Sequence, residues 1–504
     1  MDERKSITKP DDGVEPDTKI VETKEKIQQE KSQDATYSAF SKQQKVAIVC
    51  LISLAGFFSP FTAFVYFPAL RSISSDLNVS LELINITVTV YLIVQAIVPS
   101  VLGDLAKYLG RRPVYLLAFA IYTVASIGLA LQRSYAALLI LRMLQSAGSS
   151  ATIALAYAVI SDIARPHEKG IYVGVSHIGF NTAPALGPII GGLLADKVGW
   201  PWIFVFLAAF GGFVLLLLFV FLYETARNVV GDGSIPATGL NRSLYQTLRY
   251  GRKTSHENRA RFVIPSIISC LKLIFHKNVF PVLLSNAIFY MMFAVVQATL
   301  APLVQQHYDL SSFQAGLCYL GYGVAGAIAS VTVGKITDHD YKAVARNHNF
   351  QIDKKKGDDL LKFPLEKARL RSIWFYIVFS STALLGYGWV IHKDVHLAAA
   401  IVLQFIVGFA VTGIFNVCNT YIVDVFPEDS ASASASVSIT RCLLAAGGVS
   451  IVEPLMSAIG AGWTFTLIAV LCYTTIPILF YVRQKGWTWR VQRHERKSSN
   501  TAMS

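Results

Sequence analysis

Along most of this chain the sequence keeps turning apolar for about 20 residues at a time, the length a helix needs to cross a hydrocarbon core about 30 Å thick. Twelve such runs are legible, at about 46–68, 83–103, 113–131, 136–160, 171–195, 202–222, 278–302, 313–333, 372–392, 397–422, 433–458 and 462–482. Inside lipid every backbone N–H and C=O must be paired within the protein, which leaves only helices and closed barrels. Continuous apolar runs select helices, so the expected fold is an all-α membrane protein. The composition agrees: 53% of residues are hydrophobic and 15% charged.

Charge placement sets the expected orientation. With twelve spans both tails lie on one side, and 39 Lys and Arg fall in the tails and loops of that side. The opposite loops hold four, Arg71, Arg133, Lys197 and Lys393, and two more, Arg142 and Arg441, fall inside spans. Positive charge marks the cytoplasmic side, so both termini are expected there. The same asymmetry, with attraction to anionic lipid, accounts for the net charge of +13, and no nucleic-acid partner is needed.

Several chemistries are excluded. The six Cys are scattered, with no CxxC pair, and no His/Asp/Glu cluster has metal-ligand spacing, so neither metal nor cofactor is expected. There is no paired Ser/His arrangement and no GxxxxGK[ST] phosphate loop, which argues against a membrane enzyme and an ATP-driven pump. The sequon Asn78-Val79-Ser80 lies so close to the second span that glycosylation is not expected.

The chain divides into a polar cytoplasmic N-tail (1–45), a six-span half (46–222), a cytoplasmic linker (223–277), a second six-span half (278–482) and a cytoplasmic C-tail (483–504). Transporters are commonly built from two such related halves. The end of the linker, RFVIPSIISCLKLIFHK (261–277), mixes apolar and basic residues as a helix on the membrane surface does. The 334–371 loop is polar and expected to be partly disordered. An internal echo supports the two halves. GDLAKYLGRRP (103–113) follows span 2, and GKITDHDYK (334–342) follows span 8.

These stretches resemble the major facilitator superfamily, and within it the twelve-span drug:proton antiporters of fungi. GDLAKYLGRRP resembles the superfamily loop motif, carried here by Gly103, Asp104, Gly110, Arg111 and Arg112. LILRMLQSAGSS (139–150) resembles the span-4 motif with its buried Arg. The glycine-rich span 5 resembles the antiporter motif at Gly174, Gly187, Pro188, Gly191 and Gly192, with Ala183 where the family has Gly. GFFSPFTAFVYFPAL (56–70), ETARNVVGDGSIP (224–236) and ITRCLLAAGG (439–448) resemble the quinidine-resistance subgroup. One departure matters. The motif's acid position is Lys107 and the next is Tyr108, so Asp104 is expected to supply the acid in this half and Asp338 in the other.

Physical reasoning then assigns candidate roles. Gly179, Ala183, Gly187 and Gly191 recur every four residues and make a smooth ridge, the device that lets helices approach closely in lipid. The resemblance implies that this helix packs against the other half near its outer end and seals it. Pro188, whose ring crowds the carbonyl of Pro184, predicts a kink. Arg142, a charge inside span 4, either snorkels to the outer interface or faces the interior. The resemblance gives it a role in proton coupling, acting on a nearby carboxylate or His. The titratable candidates are Asp162 (a gate contact or a proton carrier), His177 (a titrating or a hydrogen-bonded structural His) and Glu453 (interfacial or coupling), with Arg441 as a partner or cavity group. A substrate site near the midplane would draw on Phe64, Gln95, Tyr157, Asn181, Tyr290, Met291, Gln297, Asn416 and Asn419.

The expected function is proton-driven export of drugs or other small organic molecules by alternating access, from the plasma membrane or alternatively the vacuolar membrane. A narrower variant exports one metabolite, such as a polyamine, a weak acid or an amino-acid derivative. A non-transporting nutrient sensor on the same fold is the remaining alternative. The partners are then small organic substrates, protons and lipid, and the protein is expected to act as a monomer.

Overall fold

The computed structural model describes residues 38–164, 166–250, 271, 273–348, 363–426 and 430–503, all helix or connecting turn. Ten helical stretches among them are long and apolar enough to cross a membrane. One, Ala433–Arg493, holds two crossings, because Gly460 at φ 77° breaks it. Pro166–Lys197 adds a 32-residue helix that runs through both Pro184 and Pro188. The crossing helices are α1 (Lys42–Phe64), α2 (Leu81–Tyr108), α3 (Arg111–Leu131), α4 (Tyr135–Ile163), α5 (Pro166–Lys197) and α6 (Pro201–Phe221). They continue with α7 (Phe280–His307), α8 (Ser312–Asn347), α9 (Ile373–His392), α10 (Leu397–Val425), α11 (430–459) and α12 (461–503). An even number of crossings puts both chain ends on one face, called basal below; the other face is distal.

Local sequence sets the helix starts. The Ser41 hydroxyl accepts from the Gln44 amide while Gln44 reaches back to the Ser41 amide, and Ser311 and Gln314 repeat this reciprocal cap before α8. Ser80 and Ser134 cap α2 and α4. Asn78, left-handed at φ 51°, ends the short helix Leu70–Leu77 and turns the chain into α2.

Two segments run on as helix beyond the expected spans. The α8 helix continues to Asn347, well past the expected span end at 333, and the loop after it contains the short helix Leu365–Arg369. The C-tail is helical through Met503 as part of α12, with Arg490 buried. Most of 261–277, where a surface helix is expected, lies outside the described residues.

The halves meet where α2 packs on α11 and α5 on α8. The α5–α8 contact is made by missing side chains. A Cβ on Gly192 would lie 2.9 Å from the Ser312 carbonyl carbon, one on Gly316 2.9 Å from that of Pro188, and one on Gly323 3.0 Å from the Ala185 Cα. The regular ridge faces elsewhere. Gly179 abuts Ser53 O at 3.4 Å, Gly187 abuts the Phe64 Cβ at 3.0 Å, and Gly191 abuts the Val65 carbonyl, all on α1 of the same half or at its C-cap. Ala183 is fully buried on the same face. Thus two faces of α5 use small residues: the four-residue ridge builds the N-terminal half, and Ala185, Pro188 and Gly192 join the halves at the distal end.

This separation gives a test. Gly191→Val should overpack the α1 contact and cost about 1–3 kcal/mol of fold stability, read as a lower melting temperature of purified protein. Gly192→Val should leave melting nearly unchanged and raise alkylation of a cysteine introduced at the distal end of α8. Leu193, 42% exposed, should accept Val without either effect. Equal loss of melting temperature at all three positions would contradict the two-face reading.

Candidate functional site

The centre of the bundle is organised around two arginines. In α4, Gly148 lies against the α3 backbone, its Cβ position 2.6 Å from both the Ala118 carbonyl oxygen and the Tyr122 amide nitrogen. That close approach carries Arg142 inward, where it is 1% exposed. Its guanidinium carbon sits 4.1 Å from the ring centre of Tyr66 and 4.5 Å from that of Tyr91. Nη1 donates to Gln145 Oε1 at 2.7 Å, and Gln145 Nε2 donates to Ser126 Oγ at 3.0 Å. The rings are pinned through their hydroxyls, Tyr66 to Thr87 at 2.9 Å and Tyr91 to Ser149 at 2.9 Å. Arg142 therefore does not snorkel. Among the described residues no carboxylate pairs with it. Aromatic faces hold the charge instead, each worth up to about 2 kcal/mol when water is excluded.

Arg441 is the counterpart in the second half. Its guanidinium carbon is 4.9 Å from the ring centre of Tyr290 on α7. It also interacts electrostatically with Tyr157 on α4 of the first half. Unlike Arg142 it is partly accessible, yet its Nε is buried without a hydrogen-bond partner. Beside it the rings form one cluster. Tyr290 lies 5.7 Å from Phe293 and 5.7 Å from Phe415, while Phe293 reaches Tyr322 at 5.0 Å and, across the halves, Phe64 at 5.9 Å. Phe67 stacks on Tyr319 and Gln305 donates to the Pro68 carbonyl at 3.2 Å, closing the distal end above this zone.

Of the lining candidates, Phe64, Tyr157, Tyr290 and Met291 gather here, Met291 against Gly448 of α11. Gln297 is buried with neither amide atom bonded, Gln95 has an unpartnered buried Oε1, and Asn416 and Asn419 are half-buried on α10. The side chains of Asn181 and His177 lie outside the described residues. Glu453 is half-buried on α11, in electrostatic reach of Glu82 and Arg71 rather than of either central arginine.

The basal ends carry a second arrangement, repeated in both halves. Arg111 Nε meets Asp162 at 3.0 Å, joining the start of α3 to the end of α4, and the Asp162 carbonyl accepts from Arg227 at 3.1 Å. Arg369 Nε meets Asp424 at 2.8 Å, joining the segment before α9 to the end of α10. Asp162 thus sits in a gate-like clasp, away from Arg142. Glu224 accepts from four backbone amides, those of Arg111 (2.8 Å), Arg112 (3.1 Å), Thr225 (2.9 Å) and Ala226 (2.8 Å). Its carboxyl lies above the usual carboxylate range because burial outweighs those donors. Gly110 is required beside it: φ is 103°, and a Cβ would lie 2.9 Å from the Glu224 carboxyl carbon. Arg112 donates to the Phe219 carbonyl at 2.6 Å and to that of Leu240. In the second half Arg490 Nη2 donates to Glu366 at 3.1 Å, and burial again holds that carboxyl high against the arginine's pull.

The loop acids are placed differently from expectation. Asp104 pairs with Lys107 itself at 2.7 Å, so the lysine that replaces the motif's acid is neutralised three residues away. Asp338 is exposed, and the buried acid of that turn is Asp340, bonded to Ser372 and 3.7 Å from Arg371. The Cβ positions of Gly103, Gly174 and Gly334, at the basal ends of α2, α5 and α8, face open space.

Sequence reasoning missed Tyr66, Tyr91, Phe293, Phe415 and the Arg369–Asp424 clasp. A signal existed for the last. Asp424 ends span 10 as Asp162 ends span 4, so aligning the two halves span by span finds it.

A family model described as Major Facilitator Superfamily matches residues 52–349. MFS-type transporter phiD of a Fungal sp. (strain ATCC 74256) is 35% identical over 94% of this chain and 73% of its own length. MFS-type transporter clz19 of Cochliobolus lunatus is 36% identical, over 92% and 89%. Citrate exporter 1 of Aspergillus niger is 34% identical, over 93% and 91%. Among solved structures, the human organic anion transporter MFSD10 (TETRAN) superposes with a TM-score of 0.56 at 17% identity, over 86% of this chain and 99% of that one. A bacterial homolog of the human lysosomal transporter Spinster, in an inward-facing and unoccupied conformation, gives 0.58 at 13%, over 90% and 98%. At these identities the two structures show the shared fold alone.

The paired clasps predict a contrast. Asp162→Asn and Asp424→Asn each remove the charge from a hydrogen bond between partly buried groups, a loss of about 1–3 kcal/mol, and should lower the melting temperature alike. Asp338→Asn should change nothing. A melting loss confined to Asp338→Asn would overturn the assignment of the clasps.

Proposed function

Since this chain belongs to the Major Facilitator Superfamily, we propose that it is a proton-coupled exporter of small organic molecules that works by alternating access. It is a multi-pass membrane transporter, not an enzyme. The observation that carries the mechanism is one-sided closure. The distal arms of α5 and α8 touch backbone to backbone at Gly192 and Gly316, while Gly174 and Gly334 on their basal arms face open space. A central site under a distal seal is what a carrier open to one side must have.

Proton coupling rests on Arg142 and on the span-5 resemblance. Tyr66, Tyr91 and Gln145 hold Arg142 as a fixed positive centre, with no acid beside it among the described residues. In this reading its fixed charge lowers the proton affinity of the cavity, which links protonation there to the charge that a substrate brings. The basal face, which carries the excess of Lys and Arg, is cytoplasmic, and the membrane is the plasma membrane. A narrower reading has one specific observation in its favour. A relative at 34% identity is named as a citrate exporter, which supports export of a single carboxylated metabolite over a broad drug spectrum.

Vesicles with the basal face outward test the coupling. One unit of pH difference is worth about 1.4 kcal/mol, enough for roughly tenfold accumulation per proton exchanged. An imposed gradient, acid inside and without ATP, should drive uptake, and Arg142→Ala should abolish it with the protein still in the membrane. Uptake that needs ATP and ignores the gradient would contradict the proposal.

A further inference from the structure

We infer that Arg441 is the substrate-recognising charge of the central cavity, and that it selects organic anions, carboxylates with a planar apolar body, over neutral or cationic analogues. This deepens the transport reading given above and rests on it.

Three observations lead there. The first is position: Arg441 belongs to α11, lies over Tyr290 of α7, and that ring joins a cluster that reaches Phe64 of the first half through Phe293. A ligand bound to this guanidinium would lie beside the seam between the halves. The second is an incomplete partner set. Arg142 is closed off at 1% exposure, whereas Arg441 is partly accessible and its buried Nε is unpartnered. A guanidinium presents five donors in a planar fork that matches the two oxygens of a carboxylate. No carboxylate of this chain fills that place among the described residues.

The third is the distribution of acids around the cavity. Asp162 and Asp424 are committed to Arg111 and Arg369 at the basal ends, and Glu453 lies with Glu82 and Arg71 on the distal side. Among the described residues, therefore, no acid neutralises either central arginine. A cation entering this zone meets repulsion from both, and a carboxylate supplies the charge that burial withholds. Phe293 and Phe415, packed on Tyr290, offer flat apolar surface next to the charge, which suits an aromatic or extended hydrocarbon body.

Charge-matched pairs decide the matter. The full-length protein in detergent is titrated with benzoate, 1-naphthoate and citrate, each against its amide, and binding is read as a shift in melting temperature. At least one carboxylate should bind tenfold or more tighter than its amide. Arg441→Gln should erase that preference, and Arg441→Lys should keep part of it. A second measurement needs no variant: the carboxylate, but not its amide, should protect Arg441 in the unaltered protein from modification by phenylglyoxal, read by peptide mass. Equal binding of the amides, an unchanged preference in Arg441→Gln, no binding by any carboxylate, or no protection of Arg441 would each overturn the inference. The same carboxylate offered to vesicles separates the two claims. Arg441-dependent binding without gradient-driven uptake would refute the coupling and leave the anion site standing. Gradient-driven uptake of acid and amide alike would do the reverse.

Discussion

The architecture depends on how near two backbones can come in lipid. Lipid tails are as apolar as the helices they surround, so helices gain little by hiding Leu from them and must gain by contact instead. On α5 the contact is extreme. Gly191 and Gly192 are neighbours in sequence but point to different partners, one to Val65 at the end of α1 and the other to Ser312 of α8. One residue fixes α5 inside its own half, and the next sets how tightly the halves close. A side chain at either place would separate surfaces that now touch. The chain thus carries a folding contact and a conformational contact on one helix, about a quarter-turn apart.

Charge obeys a complementary rule. At the basal ends, where water and backbone donors are near, carboxylates and guanidiniums pair: Arg111 with Asp162, Arg369 with Asp424, Arg490 with Glu366. These pairs tie together helices within a half and repeat between halves, so each half is braced as a unit. In the centre, among the described residues, pairing stops. Arg142 is held by tyrosine rings, and Arg441 by the Tyr290 ring and the neighbouring Cys442 thiol, with part of its surface accessible. A carrier whose centre were neutralised by its own acids would offer nothing for a charged solute to complete.

Much of this was legible in the sequence. The twelve crossings followed from apolar length, because lipid tolerates no other continuous solution. The break between the eleventh and twelfth lies at Gly460, within the short interval left between those two runs. Burial of Arg142 was one of two expected placements, and the glycines of span 5 were recognised as a packing surface. What a one-dimensional period could not show was partner identity. The every-four ridge looked like the surface that would meet the other half, but it packs on α1, and the interface uses the offset set Ala185, Pro188 and Gly192. Tyr66 and Tyr91 were missed because one lies in the turn after α1 and the other within α2, and nothing local marks them as neighbours of Arg142. Asp338 was chosen by motif register, whereas the fold buries Asp340, two residues on, against Ser372 and Arg371. Helices α8 and α12 run beyond the apolar spans because helical backbone bonds continue where lipid ends, and hydropathy does not report on them.

The central claim is that the halves move as braced units about the α5–α8 and α2–α11 contacts, closing one end as the other opens. Distances measured by double electron–electron resonance test it most directly. One spin-label pair would sit at Val198 and Asp309 on the distal side, and another at Ile171 and Ile336 on the basal arms of α5 and α8. In liposomes at varied pH, the account predicts two populations in which a longer distal distance goes with a shorter basal one. Distances that stay fixed at both ends, or that lengthen together, would contradict it.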